Sequence, residues 1–138
     1  MNRTYFIKYF LIVISFSTQL SSHAQIATEE KLLGCWKMSK FEFLKPVKDS
    51  ADLISSMKNY ISCFEKNGKF TTKIKTKNGE KPVGTGIYSI GADGKTIYQK
   101  RNAEDDGVNS PGEVVFLTER ELAIKIDNVI LHLVKITK

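Results

Sequence analysis

Gly34-Cys35-Trp36 opens the first long strand-like run of the chain, and the fold is read outward from it. A tryptophan at the start of a strand buries its large ring on the inner face. Strand alternation then sends Cys35 to the outer face. Cys63 stands in the same relation to Phe64, so both thiols are expected outside, beside inward aromatics. If the two strands are neighbours, a Cys35–Cys63 disulfide is geometrically reasonable. It would close a loop of about 29 residues and contribute ~3 kcal/mol in the chain-entropy account. The alternative is two free thiols.

Upstream, Arg3 and Lys8 precede an apolar run from Tyr9 to Phe16 that only Ser15 interrupts. Ser22-His23-Ala24 then places small residues at the two positions a signal peptidase reads, with Gln25 as the expected new N-terminus. The run is far shorter than the ~20 residues of a membrane span. Residues 1–24 therefore read as an export signal and residues 25–138 as one domain, periplasmic or extracellular. The competing reading is an uncleaved anchor. The cysteines lie well past this junction, which argues against a lipid-anchored lipoprotein.

The 138-residue chain carries 21 Lys and Arg against 15 Asp and Glu, a formal charge of +6. Removing Arg3 and Lys8 makes the balance milder still. Such a charge argues for solubility rather than nucleic-acid binding. An even cysteine count in an exported chain fits a disulfide and an oxidising compartment.

Downstream of Gly34 the sequence is a succession of short strands punctuated by turn residues. They fall at roughly 32–45, 60–66, 69–77, 83–90, 95–101, 113–118, 121–127 and 129–137. Phe70, Thr72, Ile74 and Thr76 alternate with Thr71, Lys73, Lys75 and Lys77, so one face is core and the other wet. With Lys66-Asn67-Gly68 as a three-residue loop, Phe64 faces Phe70 and Glu65 faces Lys69. An Asp127-Asn128 turn pairs Ile126 with Val129, Ile124 with Leu131 and Leu122 with Leu133. A Glu119-Arg120 turn pairs Leu117 with Leu122 and Val115 with Ile124. The turns at 77–80 and 91–94 fit two registers each, which leaves open whether Ile87 or Tyr88 points inward.

The opposite face of the last three strands carries Val114, Phe116, Ala123, Ile130, His132, Val134 and Ile136. An apolar outer face of that size is rarely left bare. One helix, over residues 49–60, is expected between the first two strands, with Asp49 or Ser50 as N-cap and Leu53, Ile54, Met57 and Tyr60 on its apolar side. It fits either a lid over the barrel mouth or a clamp on the outer face. The segment Asn102 to Gly112 reads as an exposed loop.

Catalytic patterns are weak. His132, flanked by Leu131 and Leu133, reads as a packed or surface residue, and no nucleophile motif accompanies it. Glu104-Asp105-Asp106-Gly107 with Asn109 lacks the spacing of a calcium loop and reads as solvated. The lysines at 66, 69, 73, 75 and 77 read as a wet face that discourages edge pairing. No metal or cofactor is expected, and the chain is read as a non-enzyme.

In order along the chain, Gly34-x-Trp36, Phe64-x-x-x-Gly68-x-Phe70, Gly84-x-Gly86-x-Tyr88 and Leu117-Thr118 to Leu122-x-Ile124 resemble bacterial secreted lipocalin-like domain proteins. The resemblance covers residues 32 to 137. It implies an eight-stranded antiparallel up-and-down barrel whose tryptophan closes one end, and an interior that holds a small hydrophobic molecule. It also implies a basic residue near the last strand packed on that tryptophan, for which Arg120 and Lys135 are the candidates.

The expected function is binding of a small hydrophobic or amphipathic molecule. Trp36 would close the barrel, and Met38, Phe64, Phe70, Tyr88 and Tyr98 would line it. An eight-stranded barrel is wide enough either to fill with side chains or to hold one small ligand. The alternative is an interaction or structural module, such as a homodimer, working through Phe116, Ile130 and Val134.

Overall fold

The computed structural model describes residues 23–102 and 111–137. The expected acidic segment around Glu104–Asp106 and most of the expected export signal lie outside them. Eight antiparallel strands close in sequence order into an up-and-down barrel. They are β1 (Gly34–Phe43), β2 (Tyr60–Phe64), β3 (Lys69–Thr76), β4 (Gly79–Ile90), β5 (Thr96–Arg101), β6 (Gly112–Leu117), β7 (Glu121–Ile126) and β8 (Val129–Lys135). Helix α2 (Ser50–Met57) joins β1 to β2, as the sequence pattern requires. Asp49 does not cap it with its side chain; the residue is left-handed, with φ of 61°.

A second helix, α1, occupies residues 23–32 and runs directly into β1. The sequence pattern places helix only at 49–60, so α1 is an addition. Only His23 and Ala24 lie before the expected cleavage junction, and residues 25–31 carry no element expected from the sequence.

The two firm hairpins hold. Phe64 pairs with Phe70 across a loop in which Gly68 has φ of 75°. Ile126, Ile124 and Leu122 pair with Val129, Leu131 and Leu133. Cys35 pairs with Cys63 in the β1–β2 ladder, and the two form a disulfide with their Cα atoms 4.0 Å apart.

Bulges interrupt three ladders, at Ser39 of β1, Val83 of β4 and Val115 of β6, and the last two decide registers that the sequence leaves open or sets differently. The expected pairing of Val115 with Ile124 does not occur: Val114 pairs with Ile124, Phe116 with Ala123, and Val115 is the extra residue between them. Its side chain is 50% exposed. The expected register would have turned Glu113 into the barrel, where an unpaired carboxylate is costly. The bulge instead sets Glu113 opposite Lys125 and brings Gly112 inward, where a Cβ would lie 2.5 Å from Ile124 Cγ2.

In the 77–80 hairpin, Thr76 pairs with Gly79, yet the register slips by one between Thr72 and Lys73. Val83 is the extra residue, just after Pro82, which has no N–H to give the ladder. The slip turns Tyr88 inward and leaves Ile87 53% exposed.

The core gathers Leu32, Trp36, Phe64, Phe70, Tyr88, Ile97, Leu122, Ile124 and Leu133. Chain direction puts α1 and the turns at 65–68, 91–95 and 118–120 at one end of the barrel. Helix α2 and the turns at 77–78 and 127–128 sit at the other. The β5–β6 seam is the shortest, with only Thr96–Glu113 and Ile97–Gly112 paired among the described residues.

Replacing both Cys35 and Cys63 by Ser is expected to lower stability by about 3 kcal/mol, with the barrel retained. Urea unfolding of the variant, and of the wild type with and without reductant, measures this; coincident curves would contradict it.

Candidate functional site: an interior cavity beneath helix α2

The closed end is built first, because it fixes the depth of everything above. Trp36 is fully buried, and its indole N–H donates to the Leu32 carbonyl at 2.7 Å. Lys135 lies over the ring with Nζ 4.8 Å from its centroid, and donates to the Lys31 carbonyl at 2.8 Å. Of the two basic candidates, Lys135 is therefore the one packed on the tryptophan. Both acceptors are carbonyls in the last turn of α1, which have no partner inside the helix. Farther back along α1, Gln25 donates to Ile90 O at 3.1 Å and Thr28 to Gly94 O at 2.7 Å. Gly94, with φ of 67°, lets α1 come this close: a Cβ there would lie 2.7 Å from Ala24 O.

Above Trp36 comes an aromatic layer. The Phe64 and Phe70 ring centroids are 6.4 Å apart, and Tyr88 meets Phe64 edge-on at 5.1 Å. The Tyr88 hydroxyl donates to Glu65 O at 2.7 Å. Burial, reinforced by the negative charges of Glu29 and Glu65, pushes its pKa up to about 12.

A cavity of about 450 Å3 lies above this layer. One wall is apolar: Met38 of β1, Ile124 and Ile126 of β7, Leu131 and Leu133 of β8. The opposite wall is polar: Tyr60 and Ser62 of β2, Thr72 of β3, Gln99 and Arg101 of β5. Met57 of α2 contributes from the mouth, so this helix is a lid rather than an outer clamp. Leu53 and Ile54 on the same helix stay 38% exposed. A larger concavity, about 730 Å3, runs outside the barrel along Thr118–Glu121 and Val134–Lys135. Charged side chains dominate it, and it has no enclosed apolar wall.

Among the residues expected to line the interior, Met38, Phe64 and Phe70 meet in the cavity. Trp36 and Tyr88 belong to the packed layers beneath. Tyr98 is a correction. It points outward and is 49% exposed, because Ile97 takes the inner position and alternation then turns Gln99 and Arg101 inward. Placing Tyr98 inward turns Gln99 and Arg101 outward, so the expected lining does not include the polar wall. The buried preference of Ile97 is the signal that would have placed it.

The outer face of β6–β8 is partly covered by its own side chains. Ala123 is fully buried, Ile130 and Val134 are half-buried, and Phe116 is 41% exposed. The Phe116 and His132 rings lie 6.2 Å apart, and His132 Nε2 is 3.0 Å from a Glu42 carboxylate oxygen. On the lysine-rich hairpin, Lys73 and Glu80 form an ion pair at 3.4 Å.

No family model and no curated protein matches the chain. Solved structures do. A lipocalin-like protein from Bacteroides uniformis is 16% identical, with a TM-score of 0.57 over 77% of this chain and 99% of that one. An uncharacterised protein from Bacteroides eggerthii is 13% identical, with a TM-score of 0.59 over 76% and 99%. A DUF4847 family protein from Bacteroides vulgatus is 11% identical, with a TM-score of 0.54 over 81% and 99%. At these identities the likeness concerns the fold, which is lipocalin-like.

Two outcomes follow from the closed end. Lys135→Met removes a cation over an indole and a hydrogen bond to a helix-terminal carbonyl, so stability should fall by about 1–2 kcal/mol. Urea unfolding followed by Trp36 emission tests this, and an unchanged midpoint would count against the clasp. For Tyr88, the unfolded phenol ionises near 10 while the folded one holds its proton to about 12. Stability from this group is complete below pH 10 and declines from there to pH 12. Between pH 9 and 12 the loss should be shallower in Tyr88→Phe than in wild type; parallel profiles would refute it.

Proposed function

We propose that this protein is an exported, non-catalytic barrel that binds one small hydrophobic or amphipathic molecule in its interior. The observation that carries the reading is the cavity of about 450 Å3, walled on one side by aliphatic side chains and covered at its mouth by α2. Small-molecule sites are concave, mostly apolar and largely preformed, with a few polar groups that orient the ligand. This cavity has that character.

The export-signal pattern at the N-terminus and the Cys35–Cys63 disulfide support export, since disulfides persist in oxidising compartments. Among the described residues, no helix is long and apolar enough to cross a membrane.

The outer face favours the interaction reading less. Its exposed large apolar side chains are reduced to Val115, the extra residue of the β6 bulge, and its neighbour Phe116. Patches of that size are ordinary on soluble proteins.

Titration with the neutral fluorophore N-phenyl-1-naphthylamine is expected to give a saturable, one-to-one rise in emission. Ile126→Trp, which fills the half-buried upper cavity, should weaken binding at least tenfold while circular dichroism stays that of the barrel. Absence of saturable binding to the folded wild type would overturn the reading.

A further inference from the structure

The lining of the cavity is divided by strand, and the division has a chemical consequence. The aliphatic side chains come from β1, β7 and β8; the hydroxyls, amide and guanidinium come from β2, β3 and β5. A wholly apolar ligand would leave the second wall without partners, which costs free energy for each polar group that loses water. A wholly polar ligand would waste the first wall. The two walls together match a molecule with an apolar chain and a polar head.

The sign of the head follows from charge. Among the described residues that line the cavity, Arg101 is the one charged side chain and none is a carboxylate. A cationic head would be repelled there. An anionic head would meet a planar donor fork suited to carboxylate or phosphate oxygens, with the Gln99 amide two residues back on the same inner face.

Position matters as well. Arg101 is the last residue of β5, exposed at the rim and past the last β5–β6 pair, whereas Leu133 and Phe64 lie deeper, toward the closed end. The head can thus pair at the wet edge and avoid the desolvation penalty of a buried ion pair. The chain goes down against Leu131 and Leu133, where each methylene is removed from water.

We propose that the cavity selects a single-chain amphipathic anion, a long-chain carboxylate or phosphate monoester, with its head at Arg101 and Gln99 and its chain along β7 and β8. This rests on the reading of the barrel as a small-molecule binder.

The test displaces N-phenyl-1-naphthylamine with dodecanoate, dodecyl phosphate, dodecanol and dodecylammonium, each below its aggregation concentration. Both anions should bind at least tenfold more tightly than the alcohol, and the ammonium most weakly. Whichever anion binds more tightly identifies the head chemistry. Arg101→Gln should bring the anions to the level of dodecanol and leave dodecanol unchanged. Lys100→Gln, which removes a positive charge from the outer face of the same strand, should leave the anion preference intact. If anions and alcohol bind alike, or the preference survives Arg101→Gln or is equally lost in Lys100→Gln, the proposal is overturned. Continued saturable binding of the neutral fluorophore would then show that the barrel still binds small molecules. Failure of the fluorophore itself would remove both.

Discussion

The barrel depends on keeping one indole dry. A fully buried Trp36 adds a large apolar area to the core, but its N–H must find an acceptor or cost more than it contributes. The acceptor is the Leu32 carbonyl, at the C-terminus of a helix whose last carbonyls lack partners of their own. Two unsatisfied groups thus satisfy each other, and α1 is tied to the barrel floor. Lys135 completes the arrangement by placing its charge both over the ring and at the negative end of the helix dipole. Gly34 makes this possible through its backbone: a φ of 112°, which side-chain-bearing residues rarely adopt, turns the chain from helix into strand beside the Lys135 stem.

Each residue of Gly34-Cys35-Trp36 therefore acts at the same end of the molecule. Gly34 turns the chain from helix into strand, Cys35 links β1 covalently to β2, and Trp36 fills the floor. Helix, disulfide and aromatic layer all constrain that end. The mouth is held differently, by α2 with no fully buried residue and by a β5–β6 seam of two pairs. Stability is concentrated at the closed end, away from the cavity's opening.

Much of this was legible in the sequence, and the failures have a common cause. Hairpins with a strong turn residue, such as Gly68, and matched inward rings, such as Phe64 and Phe70, fixed their own register. Parity failed wherever one residue was extra. Val83 follows a proline that cannot feed the ladder, and Val115 comes two residues after Glu113, a carboxylate that the interior would not accept. Both bulges leave the hydrophobic pattern nearly unchanged, because valine is acceptable on either face. Alternation alone therefore cannot see them. Tyr98 differs by the same parity: with Ile97 in the inner position its ring turns outward, and Gln99 and Arg101 come to face the interior. Helix α1 lies almost wholly past the expected junction, and its few apolar residues, Ile26, Ala27 and Leu32, make no clear helical face.

Whether the barrel is hollow is a question of volume rather than pattern, and α1 bears on it directly. An eight-stranded barrel can be filled by its own side chains. Here the floor is filled by Trp36 and by Leu32, a residue contributed from outside the strands. Higher up, several inward positions are small: Ser62 and Thr72 line the cavity, and Gly86 and Gly112 are buried without side chains. Phe70 and Ile124 pack over those two glycines rather than across the barrel, since a Cβ at either position would collide with them. Large side chains are drawn toward the wall and floor, and the space they vacate is the cavity. Its polar side is then set by the inner parity of β2, β3 and β5, which places Ser62, Thr72, Gln99 and Arg101 where a filled barrel would carry aliphatic residues.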